Sequence, residues 1–124
     1  MEYLLVYLSG AALYGLLELC WRGWTHWTML LCGGFCFALM YFISTSAMPL
    51  WRKCLLSATA ITTVEFFTGC LVNLRLGWQV WDYSAMPFNL LGQICPQFLL
   101  LWLALSLPGL GLCTLLRRFL AAHL

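Results

Sequence analysis

Residues 54–74 read Cys-Leu-Leu-Ser-Ala-Thr-Ala-Ile-Thr-Thr-Val-Glu-Phe-Phe-Thr-Gly-Cys-Leu-Val-Asn-Leu, an apolar run with Glu65 set in its middle. The chain then continues as Gly77-Trp78-Gln79-Val80-Trp81-Asp82-Tyr83-Ser84, reaches Pro87-Phe88-Asn89, and closes the segment with Gly92-Gln93-Ile94-Cys95-Pro96. The run is long enough to span a bilayer, which takes about 20 apolar residues. A lone acid in hydrocarbon costs at least about 2.5 kcal/mol, so Glu65 marks a place where function is to be sought.

Composition extends this reading to the whole chain. Of 124 residues, 64% are hydrophobic and 8% charged, and the mean hydropathy is +0.92. Soluble domains are about 45–50% apolar and about 25% charged, so this chain belongs in a membrane. Four apolar runs fill it, at about Tyr3–Cys20, Thr28–Leu50, Cys54–Leu74 and Phe98–Leu116. Residues 1–124 therefore read as a single transmembrane domain with no room for a nucleotide-binding or nucleic-acid-binding module. Pro49 marks the end of the second run, and Pro108-Gly109 predicts a kink in the fourth. Met1-Glu2-Tyr3 lacks a basic start, so the first run reads as a retained helix.

The segment 75–97 is too polar to span and too rich in Trp, Phe and Leu for a solvated loop. It reads as an ordered interfacial or re-entrant cap, which membrane depth permits only where protein buries the backbone. Orientation follows from charge. Arg52, Lys53, Arg117 and Arg118 fall on the side of the termini, and Arg22 and Arg75 on the other. This moderate bias favours cytoplasmic termini, with inverted or dual insertion left open. The membrane expected is a bacterial cytoplasmic one. The formal charge of +2 reflects membrane flanks and not a nucleic-acid partner.

Gly23-Trp24-Thr25-His26-Trp27 and Gly77-Trp78-Gln79-Val80-Trp81 share the pattern Gly-Trp-x-x-Trp. Upstream of each lie a basic residue (Arg22, Arg75) and a helix with one Glu (Glu18, Glu65). The expected architecture is therefore all-α, four transmembrane helices arranged as two related helical hairpins, with the cap before the last helix. The pairing implies a rotation about the membrane normal.

The second half closely resembles the CmpB-like family of ABC-transporter type IV membrane proteins, which is related to the transmembrane protein 229 group. Glu65, the tetrad Trp81-Asp82-Tyr83-Ser84, Pro87-Phe88-Asn89, and Gly92 with Ile94-Cys95 carry the resemblance. In the first half, Glu18 and Arg22-Gly23 resemble the family's first-helix Glu and Arg-Gly. The Gly-Pro and Tyr-Gly-Phe-Gly elements expected after that Arg-Gly are absent. The resemblance implies a permease.

Candidate chemistry gathers on helical stripes. Ser57, Ala58, Thr62, Thr68, Gly69 and Asn73 share a face with Glu65, and Gly10, Ala11, Tyr14 and Gly15 share one with Glu18. Either acid is a proton- or cation-handling group or a structural tie between helices, and Glu18 lies nearer the boundary. Asp82, Asn89 and Gln93 either turn the chain or line an outward vestibule, with Trp78, Trp81 and Tyr83 beside them. The substrate- or ion-binding set is thus Glu65, Glu18, Trp78, Trp81, Asp82, Tyr83, Asn89 and Gln93. His26 has no second His nearby. The seven cysteines include no Cys-x-x-Cys, and Cys32 and Cys36 suit packing. No metal, cofactor or catalytic residue is assigned.

The function expected is a small membrane transporter or permease component. Its partners would be membrane lipid and a small cationic or amphiphilic substrate, with a homo-oligomer or a partner membrane subunit left open. The alternatives are a membrane-embedded enzyme or lipid-binding protein acting at a headgroup through the Trp81–Asn89 loop, and a non-catalytic accessory subunit. The balance is against an enzyme.

Overall fold

The computed structural model describes residues 1–123. Four helices make up the chain: α1 (Glu2–Arg22), α2 (Trp27–Ser44), α3 (Leu50–Gly69) and α4 (Pro96–His123). Six further residues, Cys70–Arg75, extend α3 as a π-helical turn. Each span is long and apolar enough to cross a membrane. Helix α1 packs mainly on α2, and α3 on α4, so the chain forms two hairpins; α2 also touches α3 and α4 and joins them. Helices α1 and α4 form no comparable seam among the described residues.

Local chemistry sets the helix boundaries. Gly23 takes a left-handed φ of 77° and its N–H bonds Leu19 O at 3.1 Å, which stops α1. Helix α2 ends at Ser44, short of Pro49, because Ser44, Thr45 and Ser46 turn their hydroxyls back onto carbonyls three residues earlier. Pro49 instead precedes the first residue of α3 with extended ψ 157°, where a missing N–H costs nothing. Helix α4 is continuous through Pro108 to His123.

Lipid offers no hydrophobic drive between helices, so close approach has to hold the hairpins. Gly10 and Gly15 on α1, with Gly33 and Gly34 on α2, supply it. A Cβ on Gly33 would stand 2.6 Å from the Cβ of Tyr14, and one on Gly34 would stand 2.8 Å from Tyr7 O. Leucines such as Leu4, Leu8 and Leu100 face outward instead. Exposed Thr59 and Thr63 satisfy their hydroxyls on carbonyls of their own helix.

Two packed cores lie at opposite ends. At the end of the termini, Val6, Met40, Tyr41, Ile61, Leu110 and Cys113 pack together. A polar knot beside them joins all four helices: Tyr41 donates to Glu2, Lys53 donates to Ser44 O at 3.1 Å, and Arg117 donates to Ser44 Oγ at 3.1 Å. At the other end Met29, Val72, Val80 and Trp81 form a smaller core, flanked by Tyr14 and Tyr83.

Candidate functional site

Glu65 is 6% exposed. Its Oε2 accepts a hydrogen bond from the indole N–H of Trp102 on α4 at 3.0 Å. Ser57 and Thr62 share its stripe but do not serve it; their buried hydroxyls have no hydrogen-bond partner among the described residues. Tyr14 from α1 sets its ring 6.2 Å from that of Trp102. Its position follows from Gly33, which leaves space for the ring on the facing helix. Tyr83 comes down from the cap, stacks on Phe98 with ring centroids 4.6 Å apart, and lies close enough to Glu65 to interact with its carboxylate. Burial, then the nearby Glu65, pushes the Tyr83 hydroxyl well above the usual tyrosine range, so Tyr83 is a neutral donor.

The second acid is already paired. Glu18, 7% exposed, has Oε2 2.9 Å from Arg22 Nε. This is a charge contact without the alignment of a hydrogen bond, since Arg22 Nε and Nη2 carry no hydrogen-bond partner among the described residues. Arg22 Nη1 donates to Val80 O at 2.8 Å, which latches the first hairpin to the cap of the second. Its guanidinium lies 4.0 Å from the centre of the Trp24 ring.

The cap is ordered around Asn73. Asn73 Oδ1 accepts from the backbone N–H of Val80 at 2.6 Å and of Trp81 at 3.3 Å, and its Nδ2 donates to Gln93 Oε1 at 2.8 Å. Trp81 Nε1 donates to Gln93 O at 3.0 Å. Both Trp81 and Gln93 are buried. They rest on Gly69, where an added Cβ would meet Gln93 Oε1 at 2.5 Å and the Trp81 ring at 2.8 Å. The π-helical turn is what brings Asn73 into this position, and such turns recur at functional sites.

The eight candidate residues fall into four groups. Glu65, Glu18, Trp81 and Tyr83 converge on one region. Gln93 belongs to the buried support beneath the cap. Asp82 and Asn89 fold the outer loop: Asp82 Oδ1 accepts from Ser84 N at 2.9 Å, and Asn89 bonds Ser84 O, Met86 O and Gly92 N. Trp78 sits apart, with His26 and Trp27 at ring distances of 5.8 Å. That trio is where the loops of the two hairpins meet. Gly77 repeats the left-handed turn of Gly23, at φ 70°. The second Trp of each pair differs, since Trp27 is exposed and Trp81 is 7% exposed.

Two cavities meet at the convergence. One of about 390 Å³ runs between α1 and α4, with α2 behind it, and has Glu65 and Trp102 in its wall. Its remaining lining is nearly all apolar. The other, of about 290 Å³, holds Glu18, Arg22, Trp81, Tyr83 and Phe98. Tyr14, Leu17, Met29, Trp102 and Leu105 line both. The larger space lies where α1 and α4 form no comparable seam among the described residues.

Sequence reasoning missed Trp102 and Phe98. Both stand in an ordinary apolar run, and an indole partner on another helix leaves no spacing signal. Tyr14 was visible only as a member of the Glu18 stripe, without its place between the cavities.

Comparison with known proteins adds the lineage. No curated protein and no solved structure matches the chain. The family profile described as "Putative ABC-transporter type IV" matches residues 19–121, which include the ion-paired Glu18 partner Arg22, Glu65, the cap and Trp102. The chain belongs to that CmpB-type family of ABC-transporter-related membrane proteins.

Proposed function

We propose that this protein is a small permease-like membrane protein that takes an amphiphilic molecule from the bilayer through the gap between α1 and α4. The observation that carries this reading is the pair of adjoining cavities, which share five lining residues. The larger offers an apolar cavity beside the gap between α1 and α4, and the smaller offers Glu18, Arg22 and Tyr83. An amphiphile needs both environments at once, and a pocket with few polar groups in an apolar wall suits a small ligand. Glu65 stands beside the shared wall, where a bound molecule would meet it. On this reading Asp82, Asn89, Gln93 and Trp81 keep the cap shaped, and Trp78 anchors it at the interface.

The basic residues favour both termini on the cytoplasmic side of a bacterial membrane, with the cap outward. Reporter fusions at either terminus test that placement. Transport itself is tested in proteoliposomes by following movement of a fluorescent single-chain amphiphile between leaflets. Wild-type protein should accelerate it, and Leu105→Trp, which fills the wall shared by the cavities, should abolish the effect. Binding that Leu105→Trp removes, without any acceleration by the wild type, would favour the lipid-binding alternative. The clustering of Glu18, Arg22 and Tyr83 at one interface is what keeps that second reading in view.

A further inference from the structure

We infer that the occupant of the adjoining cavities is a hydrophobic organic cation, its quaternary or tertiary ammonium head beside Glu65 and its alkyl tail in the larger cavity. The inference rests on the reading of those cavities as an amphiphile site.

Charge balance is the first argument. Among the described residues the one ion pair joins Arg22 to Glu18. Glu2 is bonded by Tyr41 at the opposite end of the bundle, and Asp82 is exposed and turned into its own loop. Glu65 is left buried without a cation, served by the neutral indole of Trp102. Taken together, Glu65, Glu18 and Arg22 give the chamber one negative charge in excess when both acids are ionised. An anionic amphiphile would place its head beside two carboxylates. A neutral one would leave Glu65 to hold a proton, and a cationic one would let it ionise and complete the balance.

The walls supply the second argument. Around Glu65 stand Trp102, Tyr14 and Tyr83, the last stacked on Phe98. Aromatic rings near a carboxylate suit alkylammonium heads, whose diffuse charge is attracted by ring faces and needs few hydrogen bonds; Trp102 itself meets Glu65 through its N–H edge. A small inorganic cation makes the opposite demand, since hard ions require about six oxygen ligands. The larger cavity provides carbon and sulfur almost throughout, with Leu13, Phe37, Ile61 and Leu112 in its wall. That lining fits a tail.

The test compares three probes sharing one chain: dodecyltrimethylammonium, dodecanol and dodecanoate. Binding to the full-length protein is measured by calorimetry in a non-ionic maltoside detergent. The cation should bind at least about tenfold more tightly than dodecanol, and Glu65→Gln should remove that difference. Equal affinities for cation and alcohol in the wild type overturn the cation inference but leave the amphiphile cavity standing. Tightest binding by dodecanoate also overturns it and moves the head to Arg22. No binding by any probe overturns the cavity reading as well. If Glu65→Gln fails to fold, a pH series on the wild type decides. The ammonium charge is permanent, so acidification should weaken its binding and not that of dodecanol by protonating the protein. The titratable and charged groups around Glu65 are Tyr14, Glu18, Arg22, Cys32, Cys36 and Tyr83. Cation binding unaffected by acidification overturns the proposal.

Discussion

Trp102 on α4 gives its indole N–H to Glu65 on α3 at 3.0 Å, across the wall of a cavity open between α1 and α4. One bond thus joins the second hairpin internally and fixes the orientation of its buried acid. Glu65→Gln keeps an acceptor for the indole and should change thermal stability little. Glu65→Leu removes the acceptor and should cost about 1–3 kcal/mol through the stranded donor. Unfolding of the two variants in non-ionic detergent checks this; a Glu65→Leu protein as stable as the wild type would remove any structural role from the bond.

Arg22 and Arg75 hold matching places in the sequence repeat but unlike places in the fold. Arg22 pairs with buried Glu18 and reaches Val80 O, whereas Arg75 is exposed. Arg22→Ala should therefore cost roughly 3 kcal/mol, because it leaves Glu18 buried and uncompensated. Arg75→Ala should stay within about 0.5 kcal/mol. Denaturant titrations of the two variants side by side measure the contrast, and equal losses would contradict it.

Asn73 secures the cap by three bonds, two to backbone N–H groups and one to Gln93. Asn73→Ala should loosen the cap by about 2–3 kcal/mol, at about 1 kcal/mol for each bond. Asp82→Ala, which loses the turn to Ser84, should loosen it less than Asn73→Ala but more than Arg75→Ala. Limited proteolysis reads the effect. Tyr83–Leu91 should resist cutting in the wild type and be cut readily in Asn73→Ala; rapid cutting of the wild type would show that the packing does not hold.

Gly33 seats Tyr14, which lines both cavities. In Gly33→Ala the new methyl would meet Tyr14 at 2.6 Å unless the helices part. The variant should lose stability and bind any amphiphile more weakly. Gly111→Ala, with nothing within 4 Å of the added methyl, should be silent in both measurements.

The repeat makes a geometric prediction. The two hairpins should superpose by a rotation about the membrane normal, bringing Trp24 and Trp27 near the positions of Trp78 and Trp81, and distances between spin labels at matched helix positions check it. An inverted or right-angle relation would end the case for a parallel duplication.

The sequence by itself determined the membrane class, the four spans and the family, because each is written in local composition or in a contiguous motif. Apolar runs report the solvent, and a string such as Trp81-Asp82-Tyr83-Ser84 needs no partner to be read. It also put Glu65 and Glu18 each on a stripe of small and polar residues, since helical periodicity fixes which residues share a face. Tertiary structure alone decided which of the two acids is paired. It also gave Trp102 to Glu65, made Asn73 the hub of the cap, and left α1 and α4 apart. Those outcomes depend on contacts between residues far apart in the chain, and side-chain reach across a helix seam has no period in the sequence.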